Sequence, residues 1–172
     1  GQTKDALAKT QVGAWEYDIV SPAFQCNMTD IMAAIGLAQL ERYPDMLERR
    51  RELVELYDKN LDHTVFETLQ HETDEYLSSR HMYFVRVNGA NAQQRNDIIK
   101  KMAENEISAN VHYKPLPMLT AYKNLGFKMD NYPNAYRRFE NMITLPLFSK
   151  MTNEQCEYVA EQLSRAAAEV MG

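Results

Sequence analysis

The stretch AFQCNMTDIMAAIGLAQL, residues 23–40, joins a polar loop directly to a helix that is apolar on almost every side. The periodicity predicts a helix from about Thr29 to Arg42, and apolar side chains all round a helix are typical of a buried one. A helix start carries unpaired backbone N–H groups and a partial positive charge. We therefore expect an anionic group, with phosphate as the first candidate, to bind near Asn27.

Asn27 also has a purely structural interpretation. Asn is a favoured N-cap residue, and Asn27 with Asp30 three positions later resembles a capping arrangement. The residues alone leave both roles open, and a cap that faces a ligand could fill both.

Composition narrows the class of protein. With 172 residues, 45% of them hydrophobic, the chain can bury a core as one domain or as a small domain plus part of another. The net charge of −5 argues against a nucleic-acid partner. The sequence has no apolar run of membrane-spanning length and no signal pattern, which favours a soluble cytoplasmic protein with no membrane contact. Cys26 and Cys156 show no metal or disulfide spacing, so we expect no metal site.

The rest of the chain predicts an α+β fold. Pro44 separates the apolar helix from an amphipathic one that begins near Asp45, and Pro146 indicates an edge strand. Thr152 and Gln155 form a capping box for a last helix. The predicted strands are 14–20, 82–87, 107–113 and 142–147; further helices are 92–104, 118–124 and 134–140; and 67–79 is an acidic loop. This pattern contains a split β-α-β unit and predicts a small α+β domain after the helices. For the fold as a whole we expect long helices followed by a small α/β sandwich domain with a short, mainly antiparallel sheet.

The stretch VHYKPLP, residues 111–117, places an imidazole, a phenol and an ammonium group at the end of a predicted strand that stops at prolines. Such a rigid loop suits the rim of a pocket. The alternative is a half-buried cluster at a strand end with Lys114 in solvent. His112 and Tyr113 are the candidate ligand contacts under the first interpretation.

These motifs closely resemble those of the DegT/DnrJ/EryC1/StrS family, whose members are pyridoxal-phosphate-dependent aminotransferases acting mainly on nucleotide-linked keto-sugars. The segments that carry the resemblance are NMTDIMAAIGLAQL at 27–40 and VHYKPL at 111–116, with LPL at 145–147 and TNEQ at 152–155 in support. The resemblance extends over the whole chain. It implies the carboxyl-terminal part of a fold-type I enzyme, with the end of the large cofactor domain and the inter-domain helix in 1–43 and the small domain in 44–172.

The resemblance also implies site residues. Asn27 would reach across a homodimer interface to the cofactor phosphate of the neighbouring subunit. His112 and Tyr113 would lie beside the substrate. Gln25 stands where the family commonly has a lysine, and we expect it to contact the substrate or the phosphate without that charge.

Part of the family's machinery is missing from this sequence. The lysine that forms a Schiff base with the cofactor follows a Ser-Phe-His-x-x-Lys signature, which the chain lacks. We assign no catalytic residue here and expect an inactive fragment, since the chain also begins at Gly1 without an initiating Met. The parent would transfer an amino group from glutamate to a nucleotide-linked keto-sugar, in cell-surface polysaccharide or deoxysugar biosynthesis.

Two alternatives stay open. A minority of the family carries His in place of the lysine and dehydrates sugars with the pyridoxamine form of the cofactor. The chain could also be a non-catalytic binding or assembly module. Because the apolar helix needs cover on many sides, a fragment should expose a large apolar patch or self-associate.

Overall fold

The computed structural model describes residues 27–172. The chain divides into two compact units, residues 1–41 and residues 42–172. Whether the functional boundary lies at residue 43 stays a prediction.

The first unit contains α1, Asp30–Glu41. Thr29 caps this helix, because its Oγ1 accepts a hydrogen bond from the backbone N–H of Met32 at 3.3 Å. No residue of α1 is buried, and its large apolar side chains are 60–75% exposed. The prediction of a buried helix is wrong for this chain as it stands. The related expectation, a large exposed apolar surface, is confirmed, since a helix that is apolar on all sides needs more cover than these residues provide.

The second unit consists of one small sheet, five α-helices and two short 3₁₀ helices, Leu116–Met118 and Met129–Asn131. The strands are β1, Phe66–Thr68; β2, Tyr83–Val87; and β3, Met142–Leu145. The helices are α2, Tyr43–Asn60; α3, Ala92–Glu104; α4, Thr120–Asn124; α5, Pro133–Phe139; and α6, Asn153–Met171. The sheet is antiparallel throughout, in the order β1-β2-β3, and its register pairs Phe66 with Val87 and Val85 with Ile143.

The core of the second unit joins one face of this sheet to α2, α3 and α6. Along β2, Tyr83, Val85 and Val87 are fully buried, whereas Phe84 and Arg86 between them are only half-buried. The predicted apolar faces of the helices supply the other side of the core. Their most buried members are Leu53, Tyr57, Ile98, Met102, Cys156 and Leu163.

Several predicted elements are confirmed. α3 spans 92–104 as predicted, and the side chains of Thr152 and Gln155 form both bonds of the capping box at the start of α6. β3 lies at an edge of the sheet, as Pro146 indicated. The helix after Pro44 begins slightly earlier than predicted, because proline fits the first turn of a helix.

Two predictions in the second unit are wrong. The predicted strand 107–113 is reduced to a single bridge between Asn110 and Thr144. The Asn110 side chain there accepts a hydrogen bond from the N–H of Val111 at 2.7 Å, a local bond that competes with a strand ladder. β1 occupies the beginning of the predicted acidic loop, where only pairing with β2 defines it. The predicted strand 14–20 lies outside the described residues.

Among residues 27–172, no helix combines the length and the apolar character that crossing a lipid bilayer would require.

Candidate functional site

The loop that carries His112 is fixed to β3 through one residue, Thr144. The N–H of Asn110 donates to the carbonyl of Thr144 at 3.0 Å, and the N–H of Thr144 donates to the carbonyl of Asn110 at 2.7 Å. Two residues further on, Nδ1 of His112 lies 3.0 Å from the Thr144 hydroxyl, whose residue is only 6% exposed. Backbone and side chain of Thr144 therefore hold the loop together.

His112 and Tyr113 are brought together at this loop. Their rings meet edge to face with centroids 4.6 Å apart, across a cis peptide bond. His112 is half-buried, whereas Tyr113 is 70% exposed and Lys114 is exposed. Because Nδ1 of His112 is engaged by Thr144, Nε2 is the ring nitrogen left for a ligand. The imidazole and phenol together suit hydrogen bonds to a hydroxylated molecule, but their role as substrate contacts stays a prediction.

A cavity of about 340 Å³ lies in the segment that follows this loop. It is lined by Pro115, Leu116, Pro117, Tyr122, Phe127, Tyr132 and Ala135. Sequence reasoning predicted the short helices and a pocket rim at residues 111–117, but it did not identify the aromatic lining of this cavity. The signal was present, because aromatic residues recur here every five positions, at 122, 127 and 132.

Asn27 lies two residues before the cap of α1 and is exposed. Because Thr29 makes the capping bond, the interpretation of Asn27 as the cap is wrong. Within residues 27–172, no side-chain hydrogen bond engages the Asn27 amide. Asn27 belongs to the first unit and His112 to the second, and Gln25 lies outside the described residues.

The residues present fit one contact to a pyridoxal phosphate, at its phosphate group. The Asn27 amide N–H₂ can donate to a phosphate oxygen, and the first amides of α1 have no partner within the helix. Asp30 in that first turn is acidic and would not add to the attraction. The sequence lacks the Ser-Phe-His-x-x-Lys signature of the lysine that bonds to the cofactor. Contacts to the rest of pyridoxal phosphate would therefore come from residues other than Asn27 and the first amides of α1. Among the described residues there is also no cluster of three or more metal-binding side chains.

A second polar group, around Tyr83, is structural. The Tyr83 hydroxyl donates to Asp58 at 2.5 Å, and the Tyr57 hydroxyl donates to the carbonyl of Pro146 at 2.7 Å. Burial raises the pKa of both phenols, raises the pKa of Cys156 to about 12, and lowers the pKa of His71. All four groups are therefore uncharged at neutral pH and act as core side chains.

Solved structures give the class of protein. The chain matches the Streptococcus pneumoniae protein Spr1654, assigned as a sugar aminotransferase and solved with pyridoxamine phosphate, at 55% identity and a TM-score of 0.81. This match covers 99% of this chain and 43% of Spr1654. The aminotransferase TlmJ of Streptoalloteichus hindustanus matches at 25% identity and a TM-score of 0.73, over 92% of this chain and 42% of TlmJ. The fold is that of the pyridoxal-phosphate-dependent aminotransferases of fold type I.

The family follows from the sequence. The model of the DegT/DnrJ/EryC1/StrS aminotransferase family matches residues 4–164, and the chain belongs to this family. The spore coat polysaccharide biosynthesis protein SpsC of Bacillus subtilis is 30% identical over 87% of this chain and 39% of its own length. A UDP-4-amino-4,6-dideoxy-N-acetyl-beta-L-altrosamine transaminase of Campylobacter jejuni is 26% identical over 87% of this chain and 39% of its own length. The chain thus spans about two fifths of the relatives that it matches.

Proposed function

We propose that this chain is the carboxyl-terminal part of an enzyme that transfers an amino group from glutamate to a nucleotide-linked keto-sugar, in the biosynthesis of a cell-surface polysaccharide or a deoxysugar. The observation that carries the proposal is the match to Spr1654, which extends over 99% of this chain at 55% identity. The names of SpsC and of the Campylobacter transaminase support the substrate class and the polysaccharide context. The cytoplasmic location predicted from the sequence is part of this proposal.

Asn27 is proposed to hold the cofactor phosphate of the neighbouring subunit in a homodimer. Pyridoxal phosphate, when bound, carries the amino group from the donor to the acceptor. Asn27 would contribute binding and orientation by donating a hydrogen bond to a phosphate oxygen. The exposed amide and the cap supplied by Thr29 support this role. The exposed apolar surface of α1 supports a dimer, because such a surface is usually covered in an assembly.

His112, Tyr113 and Gln25 are proposed to position the substrate. Thr144 fixes the His112 ring, so Nε2 can hold a sugar hydroxyl in one place, and the exposed Tyr113 phenol can donate or accept a second bond. Fixed polar groups of this kind lower the entropic cost of orienting a substrate. Gln25 would add an uncharged contact to the substrate.

The parent chain and the 172-residue chain can be tested separately. The reading frame upstream of Gly1 is sequenced, the longer protein is expressed, and both proteins are assayed with pyridoxal phosphate, glutamate and UDP- or TDP-linked 4-keto-sugars. We expect a lysine at the family's cofactor position, 2-oxoglutarate formation by the longer protein, and none by the shorter one. A histidine at that position would replace the proposal by sugar dehydration, and a start codon directly before Gly1 would replace it by a non-catalytic module.

The role of Asn27 has its own test in the longer protein. Asn27→Ala should weaken retention of pyridoxal phosphate on gel filtration, measured by cofactor absorbance. Asn124→Ala, at another exposed asparagine, is the matched control. Equal cofactor retention in the two variants would remove Asn27 from the site.

A further inference from the structure

A second cavity of the second unit, of about 480 Å³, lies between the carboxyl-terminal half of α2 and the segment that follows β1. Its volume is within the range of small-molecule pockets. The residues of its lining that matter here are Val54, Asp58, Leu69, His71, Glu72 and Arg80. We call it the Arg80 cavity.

Arg80 is buried in the wall of this cavity with few close partners. It is 9% exposed, and its guanidinium donates to Glu72 and to the carbonyl of Ser78, each at 3.3 Å. Charge-assisted bonds are normally about 2.7–2.9 Å long. Arg95, which is also buried, donates to the carbonyl of Phe139 at 2.9 Å. Because a buried cation needs a close, hydrogen-bonded anion, Arg80 is suited to take a further anionic partner.

Two buried nitrogen atoms at the Arg80 cavity make no hydrogen bond with residues 27–172. They are Nε of Arg80 and Nε2 of His71, and only one other side-chain atom of the described residues shares this property. His71 is 9% exposed, and its Nδ1 lies 3.2 Å from the hydroxyl of Ser78. Buried polar groups without a partner are few in native proteins. Their coincidence at one cavity indicates a polar ligand.

The backbone at Arg80 is also unusual. Its φ of 51° lies in the left-handed region, which costs an L residue energy and which glycine adopts freely. Residues held in this way cluster at ligand-binding sites. Stability alone would favour glycine here over a buried arginine, so the guanidinium has a use other than stability.

The Arg80 cavity carries negative charge as well. Asp58 on α2 is half-buried, its Oδ1 accepts a hydrogen bond from the Tyr83 hydroxyl, and no bond from residues 27–172 reaches its Oδ2. This carboxylate repels a simple anion but attracts an ammonium group. Val54 and Leu69 add apolar surface to the lining. The cavity therefore suits a ligand that has a carboxylate, an ammonium group and an apolar side chain.

We propose that the Arg80 cavity binds a free α-amino acid with an apolar side chain. The guanidinium exchanges its two 3.3 Å bonds for bonds to the ligand carboxylate, and Asp58 accepts from the ligand ammonium group. The neutral imidazole of His71 can donate a further bond to the carboxylate from Nε2. This inference goes beyond the proposed function and does not depend on it, because no proposed role in amino transfer uses these residues.

Titration of the ¹⁵N-labelled 172-residue chain with L-leucine, 4-methylpentanoate and 3-methylbutylamine, followed by backbone amide NMR shifts, tests the proposal. The second compound is leucine without its amino group, and the third is leucine without its carboxylate. L-leucine should bind at least about tenfold more tightly than either, because each analogue loses a charge-assisted hydrogen bond. The amides that shift should be those of residues 68–72 and 80.

Variants separate a binding role from a structural one. Arg80→Gly should abolish L-leucine binding without lowering the Tm, because glycine suits the backbone and removes a buried charge. Arg80→Gln should also abolish binding, whereas Arg165→Gln, at an exposed arginine, should preserve it. Asp58→Asn should remove the advantage of L-leucine over 4-methylpentanoate, and Asp97→Asn, at another half-buried aspartate on a helix, should keep that advantage.

Several results would overturn the proposal. They are the absence of a saturable shift with L-leucine, an affinity for either analogue equal to that for L-leucine, and equal binding by the Arg80→Gln and Arg165→Gln variants. Retained L-leucine binding by Arg80→Gly together with a lowered Tm would assign Arg80 a structural role instead. Circular dichroism checks the fold of each variant. Amino transfer is assayed in the longer protein, so these outcomes leave the test of the proposed function untouched.

Discussion

Replacing Thr144 by valine tests whether the His112 loop is held by a side chain. The substitution exchanges the hydroxyl for a methyl group of similar size, so it creates no cavity. It leaves both backbone bonds to Asn110 in place. What it removes is the 3.0 Å contact between Oγ1 of Thr144 and Nδ1 of His112. The perturbation is therefore confined to one hydrogen bond.

The expected cost follows from the burial of the two partners. A typical intramolecular hydrogen bond contributes about 1 kcal/mol net, and leaving a fully buried partner unsatisfied costs up to about 3 kcal/mol. His112 is only half-buried and can turn Nδ1 towards water, so the lower figure applies. We expect Thr144→Val to lower the free energy of unfolding by about 1 kcal/mol and the Tm by about 3 °C.

Two measurements distinguish this explanation from a general loss of packing. Urea unfolding followed by circular dichroism gives the change in stability. Long-range ¹H–¹⁵N spectra of the imidazole give the state of the His112 nitrogens. Thr144→Ser, which keeps the hydroxyl, should retain the wild-type Nδ1 resonance, whereas Thr144→Val should shift it. A valine variant with an unchanged His112 spectrum would show that the hydroxyl does not orient the ring.

Three further predictions concern the core and α1. Arg95→Met should lower the free energy of unfolding by about 2–4 kcal/mol in urea titrations, because two backbone carbonyls lose a buried charged donor. Arg165→Met, at an exposed arginine, should change it by less than about 0.5 kcal/mol. Burial holds the pKa of His71 below its ordinary 6.5, so the unfolded chain binds the proton first and stability should fall as the pH drops below that value. Thermal melts at pH 7.5 and 5.0 should show a smaller drop in Tm for His71→Gln than for wild type or His81→Gln. An equal drop in all three would show that His71 does not contribute to the pH dependence of stability. Ile35→Lys should reduce self-association of the chain, measured by light scattering, because it places a charge in the exposed apolar surface of α1. An unchanged molar mass distribution would show that the chain does not self-associate through α1.

The sequence predicted best those elements whose signals are local. α6 begins at a capping box that Thr152 and Gln155 complete between themselves. α3 keeps its predicted bounds, because its amphipathic period lies within its own 13 residues and Asn91, directly before them, caps its start. Such signals need no knowledge of the rest of the fold.

The misses depended on distant partners. β1 is only three residues long and exists through its pairing with β2, some twenty residues away. Asn110 was predicted within a strand, but its neighbours use their hydrogen bonds locally and only one bridge to Thr144 forms. The cavity at residues 115–135 required Tyr122 of α4 to converge with Phe127 and Tyr132 of the connecting segments, and their five-residue spacing matches neither a helix nor a strand period. For α1 the composition predicted a need for cover, but it could not identify what would provide that cover.

The alternation of side chains along β3 links the position of the His112 loop to the hydrophobic core. Ile143 and Leu145 point towards the core opposite Val85 and Tyr83, and Thr144 between them points to the other face. A slip of β3 by one residue would exchange these faces and carry the Thr144 hydroxyl away from the loop. That slip would also move Ile143 and Leu145 out of the core and bring the Thr144 hydroxyl among its apolar side chains, where it would be buried without a partner. The apolar side chains of β3 thus set the pairing register, and the register places the Thr144 hydroxyl beside His112. The hydrogen bond between these two residues is too weak to fix the register by itself.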